Sequence, residues 1–569
     1  MAAPIGSVTI VGGGTAGWLT ALLLSTYLAP KSAREAPAIR LIESPTVATV
    51  GVGEATVPAM PRTLRLAGIA ESKFFRDCNA SFKLGVRFDN WNVDQRGDPI
   101  DYVNPFSRGV TIDGVSVAEY FVRYGARGLS YSEVISYCDD LARAHKGPRP
   151  LGAKPYDQSV GFAYHLDAGR FAAMLQEVCT KRGVRHILDD VVDVERDEHG
   201  YIAALDLKEG GRHPVELVID CTGFRGMIIN EVLEEPFLSY ARYLANDRAL
   251  AVQLPHPDPN KLESLTRSTA LGAGWVWRVP LYNRVGTGYV FSSAHRTDEE
   301  ARAEFLAHLG PAGEGAEPRV IPMRIGRTRN PWVKNCVAVG LSAGFIEPLE
   351  STAIHMTEMA VRNLLTYFPD SDYAEPLRER YNAVANRLYD EVRDFICLHY
   401  ALSNRTDSQY WIDAREALEL PDGLAENIEL WRHKLPTHDD IGYYSLFSRD
   451  TYIAVLLGKR VYQMEGFARS DTRAGVHTDP DKWRNYLRKA RAHVGEVVAK
   501  SADHRALLDE LRGASRARGA AATRKTPAGA KPTVPLPGQS APLTAPIRPA
   551  AAPRPTRADS KTDDGHNLL

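Results

Sequence analysis

The chain has 569 residues, and its 69 lysines and arginines nearly balance its 70 aspartates and glutamates. That length allows a large core and more than one folding unit, while the charge balance argues against an electrostatic design for nucleic acid or an anionic membrane surface. Residues 1–6 enter a strand pattern without a basic, apolar leader, and no later apolar run would span a bilayer; a soluble cytoplasmic protein handling small neutral ligands is expected.

Residues 7–11 form a short β-branched run, followed by Gly12-Gly13-Gly14-Thr15-Ala16-Gly17, an apolar helical stretch to Tyr27 and a second strand at 38–42. This is a βαβ opening. Gly12, Gly14 and Gly17 have the G-x-G-x-x-G spacing, in which glycine lets the backbone approach a pyrophosphate and the helix start at Thr15 and Ala16 offers amides and positive potential. Glu43 follows Gly17 by 26 positions, against the offset of about 20 at which an acid holds a ribose hydroxyl. A dinucleotide site follows, with FAD and NAD both open. Strands at 215–221 and 336–339 end at Thr222-Gly223 and at Gly340-Leu341, and contacts from such distant segments favour FAD.

The expected fold is α/β, a Rossmann-like flavoprotein fold with a sheet interleaved along the chain. Residues 1–360 would form the FAD-binding core, with substrate segments at about 86–155 inserted in it, and 361–513 a mainly helical substrate-binding part. Residues 514–569, rich in alanine, proline and arginine, bury too little apolar surface to offset chain entropy and are expected to be a disordered tail. Cys78, Cys138, Cys179, Cys221, Cys336 and Cys397 lack metal-ligand spacing, so they read as reduced, mostly buried thiols and no metal site is expected.

Residues 274–280, Gly-Trp-Val-Trp-Arg-Val-Pro, limit what a flavin here can do. In a strand Trp275 and Trp277 share a face. Two indoles there form an apolar wall that keeps an aromatic substrate away from an oxidised flavin, so that any oxidant must travel as a small carrier. A tryptophan pair that simply fills a core fits the same residues.

Together with Gly51-Val52-Gly53-Glu54-Ala55-Thr56-Val57-Pro58, Ser81-Phe82-Lys83 and Phe345-Ile346-Glu347-Pro348-Leu349-Glu350-Ser351-Thr352, this strand resembles the flavin-dependent tryptophan halogenases. The resemblance runs from the first strand to about residue 500. It implies an enzyme of antibiotic or other secondary metabolism in which reduced FAD, oxygen and chloride or bromide yield hypohalous acid, which passes through a tunnel to an indole or tryptophan substrate. No second nicotinamide loop is evident, so a separate NAD(P)H-flavin reductase is the implied partner; a homodimer is left open.

By this resemblance Lys83 is the tunnel-end lysine, which holds hypohalous acid by a hydrogen bond or becomes a haloamine. Glu350 positions the oxidant and accepts the ring proton, Ser351 supports it, and the amides of Thr352 and Ala353 bind halide. The stretch from Gly51, with Val52 and Ala55, is a mobile strap between the flavin and substrate pockets. Taken alone, the residues equally allow a solvated lysine, an acid capping a helix that begins near Glu350, and an ordinary loop. Two departures stand out. Ala353 replaces a glycine of the family. In the substrate pocket Phe106 matches a sandwich aromatic, Tyr443 and Tyr444 a tyrosine pair and Asp450 a glutamate, but Asn104 replaces a histidine and Ala454-Val455 a Phe-Trp pair. Losing two rings removes stacking of roughly 0.5–1.5 kcal/mol per aromatic pair and widens the pocket. An indole within something larger, such as a peptide or a carrier-bound unit, is therefore expected. The competing readings are an FAD-dependent aromatic hydroxylase and a non-catalytic flavin-fold escort of a peptide. Trp275, Trp277, Lys83 and Glu350 speak against both.

Overall fold

The computed structural model describes residues 2–28, 36–47, 53–106, 109–442, 445–464 and 477–513, which form one compact unit. Val52, Tyr443, Tyr444 and the segment 514–569 lie outside the described residues. The fold is α/β, as the sequence pattern predicts.

Its first sheet has six strands in the order Arg185–Leu188, Ala38–Glu43, Ser7–Val11, Leu217–Asp220, Cys336–Ala338, Trp332–Val333. The first five run parallel. Ser7–Val11 and Leu217–Asp220 are buried at every position, which is why they read as continuous apolar runs and not as alternation. The strand expected at 215–221 is shorter because the Val215 amide donates to Ala203 of a neighbouring hairpin. Parallel strands carry their C-terminal ends to one edge, so Gly12, Gly223 and Gly340 emerge side by side there. Helix Thr15–Tyr27 is buried continuously from Gly17 to Leu24. It packs on the sheet and on the helices Ala168–Lys181 and Ala353–Thr366, and an all-round apolar sequence suits such a position.

The second sheet has seven strands, Arg319–Pro322, Arg248–Leu254, Val285–Phe291, Gly274–Pro280, Thr266–Leu271, Gly85–Val93 and Pro99–Pro105 in spatial order. All pairings are antiparallel except Thr266–Leu271 with Gly85–Val93. Trp277 faces Gly288 across two strands, and a Cβ on that glycine would lie 2.1 Å from the indole. The tryptophan therefore lies over bare backbone. A small sheet of Gly53–Ala55, Ala163–Asp167 and Ser81–Lys83 carries the strap and Lys83 together. From Ala353 onward the regular structure is helical, dominated by Glu375–Ala401, with Arg449–Gly458 and Pro480–Lys500 further along. All six cysteines are buried and unpaired. Among the described residues no helix is long and apolar enough to cross a membrane.

Candidate active site

The glycines of the first loop are fixed by contact. Gly12 has φ +119°, and a Cβ there would meet the Cys221 carbonyl at 2.2 Å; a Cβ on Gly17 would meet the Gly12 carbonyl at 1.9 Å. Gly14 differs, with nothing within 4 Å of its missing Cβ. It is the N-cap of helix Thr15–Tyr27, which has no side-chain cap, so the amides at the helix start face that open space. Glu43 ends the second strand with its carboxylate against Gly13, whose Cβ would fall 2.0 Å from the Glu43 Cδ. Its Oε2 also lies 2.8 Å from His186 Nε2. Gly340, at φ +75°, packs on Ala16, and Gly223 shares that φ; Leu341 continues the turn after Gly340. Three glycine turns, an uncapped helix start and an acid thus converge at one sheet edge.

Lys83 lies at the other end of the site and is fully buried. Its Nζ donates to the Thr56 carbonyl at 3.1 Å and to Ser351 Oγ at 2.8 Å, and sits 5.3 Å from the centre of the Phe106 ring. Burial pulls the Lys83 ammonium down from its ordinary value to about 7, and the nearby Glu350 charge opposes that fall. Ala55, one residue before Thr56, is buried in the strap strand.

Glu350 is 6% exposed and accepts hydrogen bonds from Asn104 Nδ2 at 3.1 and 3.3 Å. Its Oε1 lies 3.1 Å from His399 Nε2. The other ring nitrogen, Nδ1, faces the Phe395 carbonyl at 2.8 Å, which can only accept, so Nδ1 carries a hydrogen. The hydrogen between Nε2 and Oε1 therefore belongs to an imidazolium or to a carboxyl group.

The helix expected to begin near Glu350 begins at Ala353, and Glu350 lies in the turn before it. Glu350 is thus no helix cap; Asn104 and His399 hold its carboxylate instead of the first turn of a helix. Ser351 takes the left-handed conformation, φ +60°, and its hydroxyl accepts from Lys83. Such a conformation in a residue other than glycine is strained, and strain of this kind gathers at functional sites. Ala353 is the first helical residue, so its Cβ meets no backbone penalty. Among the described residues the Thr352 and Ala353 amides make no hydrogen bond.

Trp275 and Trp277 lie edge to face with ring centres 6.4 Å apart. The Trp275 indole N–H donates to Glu347 Oε2 at 2.7 Å, joined there by the Tyr400 hydroxyl at 2.7 Å and Asn246 Nδ2 at 2.9 Å. The tryptophan strand is thereby tied to the loop that carries Glu350. Burial raises the Glu347 carboxyl. Of the substrate residues expected from the sequence, Phe106 lies beside Lys83, while Asp450 pairs with Arg449 at 2.7 Å and occupies the space where a Gly109 Cβ would sit. Ala454 lines a cavity of about 720 Å³, and Val455 is fully buried without reaching it. His399 escapes sequence reading because no local motif links it to Glu350, and the bonds of Asn104 to Glu350 and of Trp275 and Asn246 to Glu347 join segments far apart in the chain.

With this geometry in hand, comparison with known proteins is decisive. The family profile described as tryptophan halogenase matches residues 7–470. The chain belongs to the tryptophan halogenase family. It is 37% identical over 477 residues to the tryptophan 6-halogenase SttH of Streptomyces toxytricini, covering 79% of this chain and 88% of that protein. A solved tryptophan halogenase from Shewanella frigidimarina superposes with a TM-score of 0.83 at 36% identity, covering 90% of this chain and 98% of the other. MibH, a lathipeptide tryptophan 5-halogenase, superposes with a TM-score of 0.77 at 29% identity over 90% of this chain and 94% of its own. The chain is thus an enzyme of the flavin-dependent halogenase kind. The glycine cradle fits FAD: side chains at positions 12, 13 and 17 would strike Cys221, Glu43 and Gly12, whereas the space at Gly14 is open to a pyrophosphate.

Proposed function

We propose that this halogenase chlorinates or brominates the indole ring of a tryptophan-type substrate, with Lys83 and Glu350 as its catalytic residues. One observation carries the reading: a fully buried lysine shares Ser351 with the loop that holds a buried, doubly hydrogen-bonded glutamate. Bound as FADH2, the flavin would supply the two electrons and two protons with which oxygen, one further proton and halide become hypohalous acid and water. Gly12, Gly14, Thr15, Ala16 and Gly17 hold its phosphates, Glu43 a ribose hydroxyl, and Val52, Ala55, Gly223, Gly340 and Leu341 the rest of the nucleotide. The free amides of Thr352 and Ala353 receive halide at a helix start.

The Lys83 ammonium donates a hydrogen bond to the oxygen of hypohalous acid. As the halogen bonds to the ring carbon, the departing hydroxide takes the lysine proton and leaves as water. The cationic ring then loses its proton to Glu350, whose carboxylate is oriented by Asn104 and His399. Trp275 and Trp277 keep the ring from the flavin, so transfer occurs only at the lysine end. Phe106, Tyr443, Tyr444 and Asp450 are the residues assigned to the substrate. The small residue at 454, on the wall of the cavity, favours an indole that is part of something larger than free tryptophan, and MibH is a similar protein described as a lathipeptide tryptophan halogenase. Reduced flavin comes from a separate reductase, and the enzyme acts in the cytoplasm as a monomer or a homodimer.

The test is incubation with a flavin reductase, NADH, FAD and chloride or bromide, offering free tryptophan and tryptophan-bearing peptides. A halide-dependent isotope pattern replacing one hydrogen is expected. Addition of one oxygen, with or without halide, would identify a hydroxylase.

A further inference from the structure

A cavity of about 720 Å³ lies between the helix Val117–Tyr124 with the turn after it and the far end of the helix Arg449–Gly458. Its volume is that of a ligand site. Tyr102 reaches it from the strand Pro99–Pro105. Residues two apart on a strand share a face, so Tyr102 stands beside Asn104, the donor to Glu350, at a backbone distance of about 7 Å. The Tyr102 ring stacks on Phe88 at 4.7 Å, and a Cβ on Gly458 would lie 2.5 Å from it, so the ring is clamped. The residue is 4% exposed, yet its hydroxyl has no hydrogen-bond partner. That hydroxyl is closed off from the cavity, which meets other atoms of Tyr102.

The rim adds charge. Arg123, Arg127 and Arg460 line the cavity from three separate points: the last turn of one helix, the turn that follows, and the residue after the opposing helix cap. All three are exposed, and none forms an ion pair among the described residues. The charge of Arg460 reaches Asp94, but that carboxylate is bound by the Arg96 and Asp98 amides. The two acids in the lining are already engaged, Asp101 by Arg87 at 2.9 Å and Glu133 by Arg143 at 2.6 Å. What remains is a net positive rim, with Ala454 leaving room on the wall.

We propose that this cavity is a binding site for a carboxylate-bearing peptide segment whose neighbouring tryptophan side chain reaches Lys83 and Glu350. The proposal rests on the halogenase reading and names its substrate as an acidic peptide. Arginines at three separate points suit carboxylates spaced along a chain, whereas the single phosphate of a carrier arm would need them converged.

The test compares a tryptophan-centred peptide flanked by aspartates with the same peptide carrying asparagines, on the wild type and on the triple variant R123Q/R127Q/R460Q. The acidic peptide should show kcat/KM about tenfold higher, carried by KM and shrinking with added salt. In the triple variant the ratio between the two peptides should fall to about one. Equal kcat/KM for both peptides on the wild type would overturn the site, as would a ratio that survives in the triple variant or a tryptophanyl phosphopantetheine thioester that outperforms both. Should the wild type halogenate no indole at all, the halogenase reading fails. Fluorescence anisotropy of the labelled acidic peptide on wild type and triple variant then still decides the cavity, since equal binding refutes it and loss in the variant supports it.

Discussion

The nucleotide cradle takes its glycines from strand ends that lie side by side in one parallel sheet, whereas the lysine end assembles Lys83, Asn104, Glu350 and His399 from four distant segments. In the cradle Gly12 and Gly17 are fixed by backbone contact and Gly13 by the Glu43 side chain, so side chains are excluded there and the chemistry belongs to the cofactor. At the lysine end the backbone is ordinary apart from Ser351, and the chemistry belongs to buried ionisable side chains whose partners come from elsewhere. Such division lets one half bind a nucleotide tightly while the other is adjusted to a substrate.

Variants on either side should separate the two halves. Lys83→Ala is expected to lower halogenated product by about 10³ while FAD affinity, read by flavin fluorescence, stays unchanged. Persistent product would mean that another group delivers the halogen. Glu350→Gln keeps the shape and the Asn104 contact but cannot take a proton, so kcat should fall about 10² with little change in KM. An unchanged kcat would remove it as the base. In the cradle, Gly13→Val drives a side chain into the Glu43 carboxylate, and FAD affinity should weaken by about 10- to 100-fold. Saturating FAD should restore turnover in that variant and not in the lysine variant; rescue of both would erase the distinction.

The pH profile probes the lysine end alone. Its depressed lysine is protonated below about 7 and loses that proton as pH rises, with Glu350 opposing the loss and His165 facing it as a second titratable neighbour. If the ammonium is the donor, kcat should fall above about 7, approaching tenfold per pH unit. A kcat that rises instead would assign the haloamine route, in which the neutral amine attacks the halogen.

How much of this was legible in the sequence follows from the same division. Strand, glycine loop and acid in the cradle are consecutive, and Gly12 and Gly17 are required by backbone contacts, so a local pattern suffices to find them. Lys83 and Glu350 became visible only through resemblance, because a lysine in a three-residue strand carries no local signal of burial. The helix starts three residues after Glu350: that residue resembles a cap by type, but Ser351 turns left-handed and the helix begins at Ala353. His399 is a single residue within a long helix, and nothing in its neighbours marks it as facing Glu350.

The smallest expected effect lies in the tryptophan strand. Trp275 and Trp277 lie edge to face there, but only Trp275 donates its indole N–H to Glu347, three residues before Glu350. Trp277 makes no such bond among the described residues and lies over Gly288. Phenylalanine preserves an apolar wall at either position and removes the N–H. Losing one such bond is worth about 1 kcal/mol, so Trp275→Phe should lower kcat about fivefold with KM and FAD affinity unchanged. Trp277→Phe should stay within about twofold of the wild type. Equal effects of the two would show that the tryptophans act as a wall alone, and a larger loss at Trp277 would reverse the assignment of the tie.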